Sequence, residues 1–578
     1  MTARQLIINQ LVLLFLVVGL IYSPAFNAEP CLLDDVALLR GLQKDIKIDL
    51  KAYLLPGSTE LPYSRPLIGL SYWYDQTLWH ANPHAMHIEN VCFHLLNVIL
   101  LFWLIRISLN NDGHSGRYAP FLGALLFAAH PVTTESVNWI SGRTDLIGCA
   151  CLISTTIALV SWRRKRNEWW LFLLAMLLLA MAIVSKEVAW GFLMVLPLFL
   201  ATPYDSYSYT LTQFYETFSR LEKLLFLAGI ALSFFLAAVL MSFWPAFVLS
   251  TILGLVALYR KPRLHPFSIK LYLLVAGFLA ISVPLIFYGV KLTQKSAASG
   301  ISSNLSRTLM LTILNIDNSA SIFSAALAFY IKKFFLPLPL SFSITTIAPG
   351  YLFAGIAVFI LTAFLAAWRS QAAILFLVGI ALLLPSLPLA HNQIAWLPYA
   401  ERYMYVSSAF WMASLAVGVN ALNLPSLRAS CALLCLLLIP TAAIITYKRS
   451  TVWQTNVALF GDTVQKSPNH IEARVLYMTA LSKAGRMTEA VEEFERIQAD
   501  PRSWVRVKYF NDLTELLYNC GQKQEAWKVL ESSLGITLPL GQKHPLKNED
   551  WQRLYKFHAK LRQELFPPPQ NSIEYPRQ

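Results

Sequence analysis

The chain has 578 residues and a mean hydropathy of +0.50, with 56% hydrophobic and only 14% charged residues. Soluble chains carry about 25% charged residues, so the composition excludes a soluble globular protein. The formal net charge of +14 fits the positive-inside bias of membrane proteins, and no basic stretch is interleaved with aromatics as a nucleic-acid partner would require. The apolar residues gather into runs near the roughly 17–25 residues that cross a bilayer as a helix. Backbone amides inside lipid must pair within their own segment. The expected fold class is therefore all-α, a polytopic helical membrane protein.

In chain order, an apolar run from about Leu6 to Tyr22 follows Arg4. Phe26 stands where signal cleavage after Ala28 would want a small residue, so the run reads as an uncleaved anchor with a cytoplasmic N-terminus. The loop 23–87 then faces the other side. It carries Asp34-Asp35 and, further on, Tyr63-Ser64-Arg65-Pro66-Leu67. Two adjacent carboxylates beside hydrocarbon repel each other and raise each other's pKa, which suits a general base or a metal ligand. The pair also suits a helix N-cap.

Spans are expected at about Ile88–Ile107, Pro120–Pro131 and Asp145–Trp162, the last ending in Arg163-Arg164-Lys165-Arg166, a strong cytoplasmic marker. Trp169–Ser185 and Val188–Leu200 meet outside at Lys186-Glu187, and Asp205–Lys223 reads as an amphipathic surface segment. Further runs lie at about 224–242, 244–259, 268–290, 319–337, 350–368, 371–390, 404–420 and 428–446. If all of these cross, the C-terminal part is cytoplasmic. If 319–337, with Lys332, Lys333 and Pro337, is half-buried and does not cross, the C-terminal part lies outside.

After about Tyr447 charged residues become common. Ala484-Gly485-Arg486-Met487-Thr488-Glu489-Ala490 is echoed by Cys520-Gly521-Gln522-Lys523-Gln524-Glu525-Ala526. The spacing of the two glycines is close to the tetratricopeptide period of about 34 residues, with the excess placed in the turn Asp500–Ser503. The expected organisation is a membrane domain over 1–447, tetratricopeptide-like helices over 448–566 and a disordered tail over 567–578. The seven cysteines show no paired CxxC spacing and read as small core residues.

Charged groups recur at span ends: Ala129 to Trp139 with His130 and Glu135, then Gly142-Arg143-Thr144-Asp145, then Ser185-Lys186-Glu187, and later Glu401-Arg402-Tyr403. Arg and Lys at such depths are natural phosphate binders. Together with Asp34-Asp35, Arg65-Pro66-Leu67, His87, Asn90, His94, His130-Pro131-Val132, Asp317-Asn318, Phe335-Leu336-Pro337 and Ala400-Glu401-Arg402-Tyr403-Met404-Tyr405, this ordered set resembles the transmembrane-and-tetratricopeptide protein O-mannosyltransferases and their bacterial relatives, of the C-type glycosyltransferase fold. It departs from that family at Asn318-Ser319, where the family often has Asn-Pro, and in its short repeat array.

The resemblance implies a polyprenyl-phosphate-sugar donor and inversion at the sugar carbon. It also implies an active site and repeats on the extracytoplasmic side, here of a bacterial inner membrane. The family's acidic pair maps onto Asp34 as base and Asp35 as its partner or the ligand of a divalent metal; no other cofactor is expected. Arg143, Lys186 and Arg402 are the expected lipid-phosphate binders, and Arg65, His130, Glu135, Glu187 and Glu401 the substrate-positioning residues. Protein Ser/Thr is the favoured acceptor, with lipid or glycan open. A membrane-anchored repeat scaffold without catalysis, or a transporter with its usual internal duplication, explains the outward charged groups less well.

Overall fold

The computed structural model describes residues 2–43, 65–109, 117–165, 168–201, 316–348, 350–368, 370–391, 397–421, 425–498, 514–515, 517–518, 521–534 and 548–566. The expected segments at 205–223, 224–242, 244–259 and 268–290, the turn at 500–503 and the tail at 567–578 lie outside the described residues. The chain divides into two compact units, Met1–Gln454 and Thr455–Gln578.

The described helices of the first unit are α1 (Ala3–Ile21), α2 (Asp35–Gln43), α3 (Pro66–Trp79), α4 (Pro83–Ser108), α5 (Ala119–Ala128), α6 (Thr134–Asn138), α7 (Arg143–Arg164), α8 (Trp169–Ser185), α9 (Phe192–Ala201), α10 (Ile316–Phe335), α11 (Tyr351–Trp368), α12 (Gln371–Leu383), α13 (Tyr405–Ala421) and α14 (Pro425–Val452). Among the described residues there is no strand, only an isolated bridge between Ile344 and Tyr399. Helix starts follow local chemistry. The Asn82 side chain accepts from His84 N at 2.9 Å, and Pro83 fills the first position of α4, where its missing N–H costs nothing.

Six described helices are long and apolar enough to cross a membrane: Arg4–Ile21, Pro83–Ser108, Ile140–Arg164, Gln371–Ala390, Glu401–Ala421 and Arg428–Val452. The chain is an all-α, multi-pass membrane protein. Some expected spans come out shorter. The run at 120–131 is a helix of 10 residues that stops at Ala128 before His130-Pro131. At 1.5 Å per residue it covers about half of a ~30 Å hydrocarbon core. The run at 188–200 begins as a 3-10 turn, Glu187–Gly191, before α9. Helix α10 is not among the six.

The bundle has two ends. At one, the Arg164 guanidinium donates to Leu109 O and Gln10 Nε2 donates to Arg117 O. At the other, the segment between α5 and α7 is knitted to several helices. Tyr22 Oη and Thr133 Oγ1 share a hydrogen bond of 2.7 Å, Thr446 Oγ1 donates to Ala129 O, and Ser450 Oγ donates to Asn138 Oδ1. Between the ends, α4 buries a stripe of His87, Asn90, His94 and Asn97 along one face. Asn97 Nδ2 donates to Leu146 O and to Tyr405 Oη, which also bonds His94 Nδ1 at 2.8 Å. Helix faces that are apolar throughout can slide; these directional bonds fix α4, α7 and α13 in register.

The second unit holds α15 (Asn456–Lys466), α16 (Ile471–Lys483), α17 (Met487–Gln498), α18 (Lys523–Leu534) and α19 (Asn548–Leu565). Gly485 and Gly521 have φ of 76° and 81°. After each, the chain closes the same helix-ending bond, Arg486 N to Leu481 O and Gln522 N to Leu517 O, both 2.9 Å. Ala490 and Ala526, each five residues past its glycine, are fully buried.

Gly142 sits in a tight approach at the charged end. Its φ is ordinary, but an added Cβ would lie 2.4 Å from Ser136 O, a backbone atom. Gly142→Ala should therefore cost on the order of 2 kcal/mol. Thermal unfolding of the full chain in detergent checks this; an unchanged midpoint contradicts it.

Candidate active site

Asp34 and Asp35 open α2, and the helix sends their side chains in different directions. Leu38 N donates to Asp34 O at 2.9 Å, while the Asp34 side chain stays exposed. Asp35 turns inward and is fully buried. Its Oδ2 accepts from Cys31 N at 3.1 Å and Ile140 N at 3.3 Å. Its Oδ1 accepts from Ser141 N at 3.0 Å and Ser141 Oγ at 2.7 Å. Burial pushes the Asp35 carboxyl up to about 6; the Ser141 and Cys31 donors hold it down and neighbouring Asp34 pushes it up. Four donors use the acceptor capacity of one carboxylate. Asp35 thus has protein partners on both oxygens. Its lone pairs already hold the Ile140-Ser141 turn, and among the described residues no cluster of three or more His, Cys, Asp or Glu side chains is placed to hold a metal ion.

Arg143 has protein partners as well. It is fully buried: Nε donates to Asn90 Oδ1 at 3.0 Å, Nη1 pairs with Asp75, and Nη2 donates to Met86 O at 3.2 Å and pairs with Glu89 at 3.0 Å. Through these partners Arg143 ties α3 and α4 to the start of α7. Burial and the nearby Glu89 carboxylate push Asp75 up, against the pull of Arg143. The two acids escaped the sequence reading. The signal that could have found them is a lone carboxylate inside an apolar helix, which needs a buried partner.

His130 and Glu401 are also paired within the protein. His130 Nε2 bonds Phe334 O at 2.9 Å, its Nδ1 accepts from Val132 N, and its ring stacks on Phe334. Burial pushes its pKa down to about 4, so it is neutral at physiological pH. Glu401 Oε1 accepts from Lys333 Nζ at 2.8 Å and Ser341 N at 3.0 Å, both groups buried. These contacts hold the end of α10 against its neighbours.

Three expected cations keep an accessible edge. Lys186 pairs with Asp145, and the side chains are 11% and 3% exposed. Arg402 pairs with Glu135, with 15% and 2% exposed, and its backbone N donates to the same carboxylate at 3.1 Å. Arg65, which precedes α3, grips Glu187 through Nε and Nη2 at 2.8–3.1 Å, with 25% and 53% exposed. Asp34 lies in the field of Arg402 and Arg65, which pull its carboxyl down while desolvation pushes it up, with a net upward shift. Burial lowers Lys186; Asp145 opposes this, and the charges of Arg65 and Arg402 add to it. One exposed carboxylate therefore shares a charged region with three part-open cations, each backed by its own acid. That arrangement can take a proton from a hydroxyl and meet an oxyanion in the same place. The Arg65–Glu187 pair is the cheapest to open, because Glu187 returns to water, whereas releasing Lys186 or Arg402 strands a buried acid.

The chain is similar to a group of animal protein O-mannosyl-transferases. Protein O-mannosyl-transferase Tmtc1 of Drosophila melanogaster is 32% identical over 127 residues, 22% of this chain and 14% of that protein. Protein O-mannosyl-transferase TMTC1 of Mus musculus is 34% identical over 115 residues, 20% of this chain and 11% of that protein. Protein O-mannosyl-transferase Tmtc2 of Drosophila melanogaster is 33% identical over 141 residues, 23% of this chain and 14% of that protein. The match thus spans 11–14% of the length of these relatives. No family model and no solved structure matches the chain.

Asp35→Asn leaves one acceptor oxygen and turns an NH2 group toward backbone donors. It should lower stability by about 2 kcal/mol, whereas Asp34→Asn, at an exposed position, should leave the unfolding midpoint nearly unchanged. Parallel thermal scans of the two variants check this; equal midpoints would contradict it.

Proposed function

We propose that this chain is a membrane glycosyltransferase. It moves a sugar from a polyprenyl-phosphate donor to a hydroxyl acceptor, with protein Ser/Thr favoured, at the membrane face away from the cytoplasm. The observation that carries the reading is the exposed Asp34 carboxylate in the field of Arg402 and Arg65, the two cations whose charges also act on Lys186. The names of the similar proteins, protein O-mannosyl-transferases, support the same reaction class, and the multi-pass fold suits a donor held in the bilayer.

In the reaction, the acceptor oxygen attacks the sugar's anomeric carbon from the side opposite the phosphate. As the new C–O bond forms, Asp34 takes the hydroxyl proton. The bond from the anomeric carbon to the phosphate oxygen breaks with its electron pair left on the phosphate, and the configuration inverts. The departing phosphate gains charge beside the three cations, which stabilise that charge where it develops. General-base assistance of this kind contributes roughly 10²–10⁴-fold. Arg65 yields most easily to the incoming phosphate, releasing Glu187 to solvent. Asp35 and Arg143 act as positioning residues behind the site.

The segment over about 448–566 reads as short tetratricopeptide-like repeats, extracytoplasmic as the resemblance implies. The matching glycine turns at Gly485 and Gly521 and the buried Ala490 and Ala526 support that reading. Stacked repeats of this type present a concave face to an extended peptide.

The test is transfer from a polyprenyl-phosphate mannose to a Ser/Thr-containing peptide by the purified full chain, read by mass spectrometry. Asp34→Asn should lower kcat about 100-fold or more with little change in the donor KM. The base must be ionised, so the wild-type rate should fall as pH drops through the Asp34 pKa, which lies above the usual carboxylate range. That acid limb should vanish in the variant. Wild-type transfer by Asp34→Asn would remove Asp34 as the base, and no transfer by the wild-type chain would leave a non-catalytic scaffold.

A further inference from the structure

The Arg402 guanidinium sits 4.8 Å from the Trp139 ring centroid and 5.0 Å from that of Tyr403, while Glu135 holds one of its edges. A guanidinium binds an oxyanion well only when its plane is fixed and its free N–H groups point one way. Glu135 fixes the edge, and the ring faces fix the plane. Trp139 is itself held. It is nearly fully buried, its ring meets Phe342 edge-on at 6.2 Å, and Phe342 meets Trp453 in the same manner at 5.4 Å. Its backbone lies in the turn that Asp35 and Asn90 clamp. Asp35 accepts from the next two residues, Ile140 and Ser141, and Asn90 Nδ2 donates to Trp139 O at 2.8 Å.

Resting on the glycosyltransferase reading, we infer that Trp139 is a positioning residue that sets the plane of Arg402 toward the lipid phosphate. Asp35 then fixes the spacing between the proton acceptor and the phosphate site. Asp34 is one peptide away from Asp35. Asp35 holds the 140–141 turn, that turn carries Trp139, and Trp139 carries the guanidinium. The base and the oxyanion partner are thereby joined by one short linkage of backbone hydrogen bonds and ring contacts rather than by the length of the bundle.

The experiment uses farnesyl phosphate binding to the full chain in detergent by calorimetry, with thermal unfolding in parallel. Trp139→Leu should weaken binding roughly tenfold, the size expected for a desolvated cation–π contact. Trp139→Phe keeps a ring face and should recover most of the affinity. In an Arg402→Ala background Trp139→Leu should add no further loss, because the indole acts through the guanidinium. Additive losses, or unchanged binding by Trp139→Leu, would overturn the inference while leaving the reaction class standing. Failure of the wild-type chain to bind farnesyl phosphate overturns both. A Trp139→Leu protein that unfolds is replaced by Trp139→Met, a long side chain without a ring face, which must then weaken binding in the wild-type background but not in the Arg402→Ala background.

Discussion

The charged end of this bundle depends on one buried carboxylate. Asp35 receives four hydrogen bonds from residues on two segments more than a hundred positions apart in sequence. Without it, the backbone N–H groups of Cys31, Ile140 and Ser141 would face a low-dielectric interior unpaired, at a cost of about 1–3 kcal/mol each. With it, the start of α2 and the turn before α7 become one rigid corner. Adjacent residues on a helix point about 100° apart, so the side chain that anchors the corner leaves its neighbour, Asp34, facing outward.

The same logic of pairing governs the cations. A cluster of bare positive charges at a membrane surface would repel itself and fill with stray anions. Here Lys186, Arg402 and Arg65 each hold a carboxylate. The partners differ in depth: Asp145 and Glu135 are buried and Glu187 is exposed. The buried acids keep their cations aimed; the exposed one lets its cation go. Behind this ring, Arg143 with Asp75, Glu89 and Asn90 forms an ionic knot that supports the bundle.

Much of the fold was legible because a bilayer demands long apolar helices, and most of their positions follow from composition. The misses have local causes. The 120–131 run reads as a span by hydropathy, yet His130-Pro131 ends the helix at Ala128 and the chain turns into the 131–142 corner. At the site, sequence marks which charges lie near span ends but not which way they face. Arg143 reads as a phosphate binder because nothing nearby in sequence betrays Asp75, which reaches it from a different helix. His130 and Glu401 read as substrate-positioning for the same reason, and the sequence does not reveal their contacts with Phe334 and Lys333 of α10. The resemblance located Asp34 and Asp35 together; only packing divides their labour. Trp139 closes the 129–139 group in the sequence but nothing there gives it a role, since a tryptophan near a span end is ordinary interfacial composition.

The central claim is that two neighbouring carboxylates do different work, Asp34 on the acceptor proton and Asp35 on the architecture. Chemical rescue tests it most directly. Transfer by Asp34→Ala and by Asp35→Ala would each be measured with and without added sodium formate, a small carboxylate that can enter the space vacated by the side chain. The account predicts that formate restores transfer to Asp34→Ala in proportion to its concentration and does nothing for Asp35→Ala. Rescue of Asp35→Ala alone, or full activity of Asp34→Ala without formate, would contradict it.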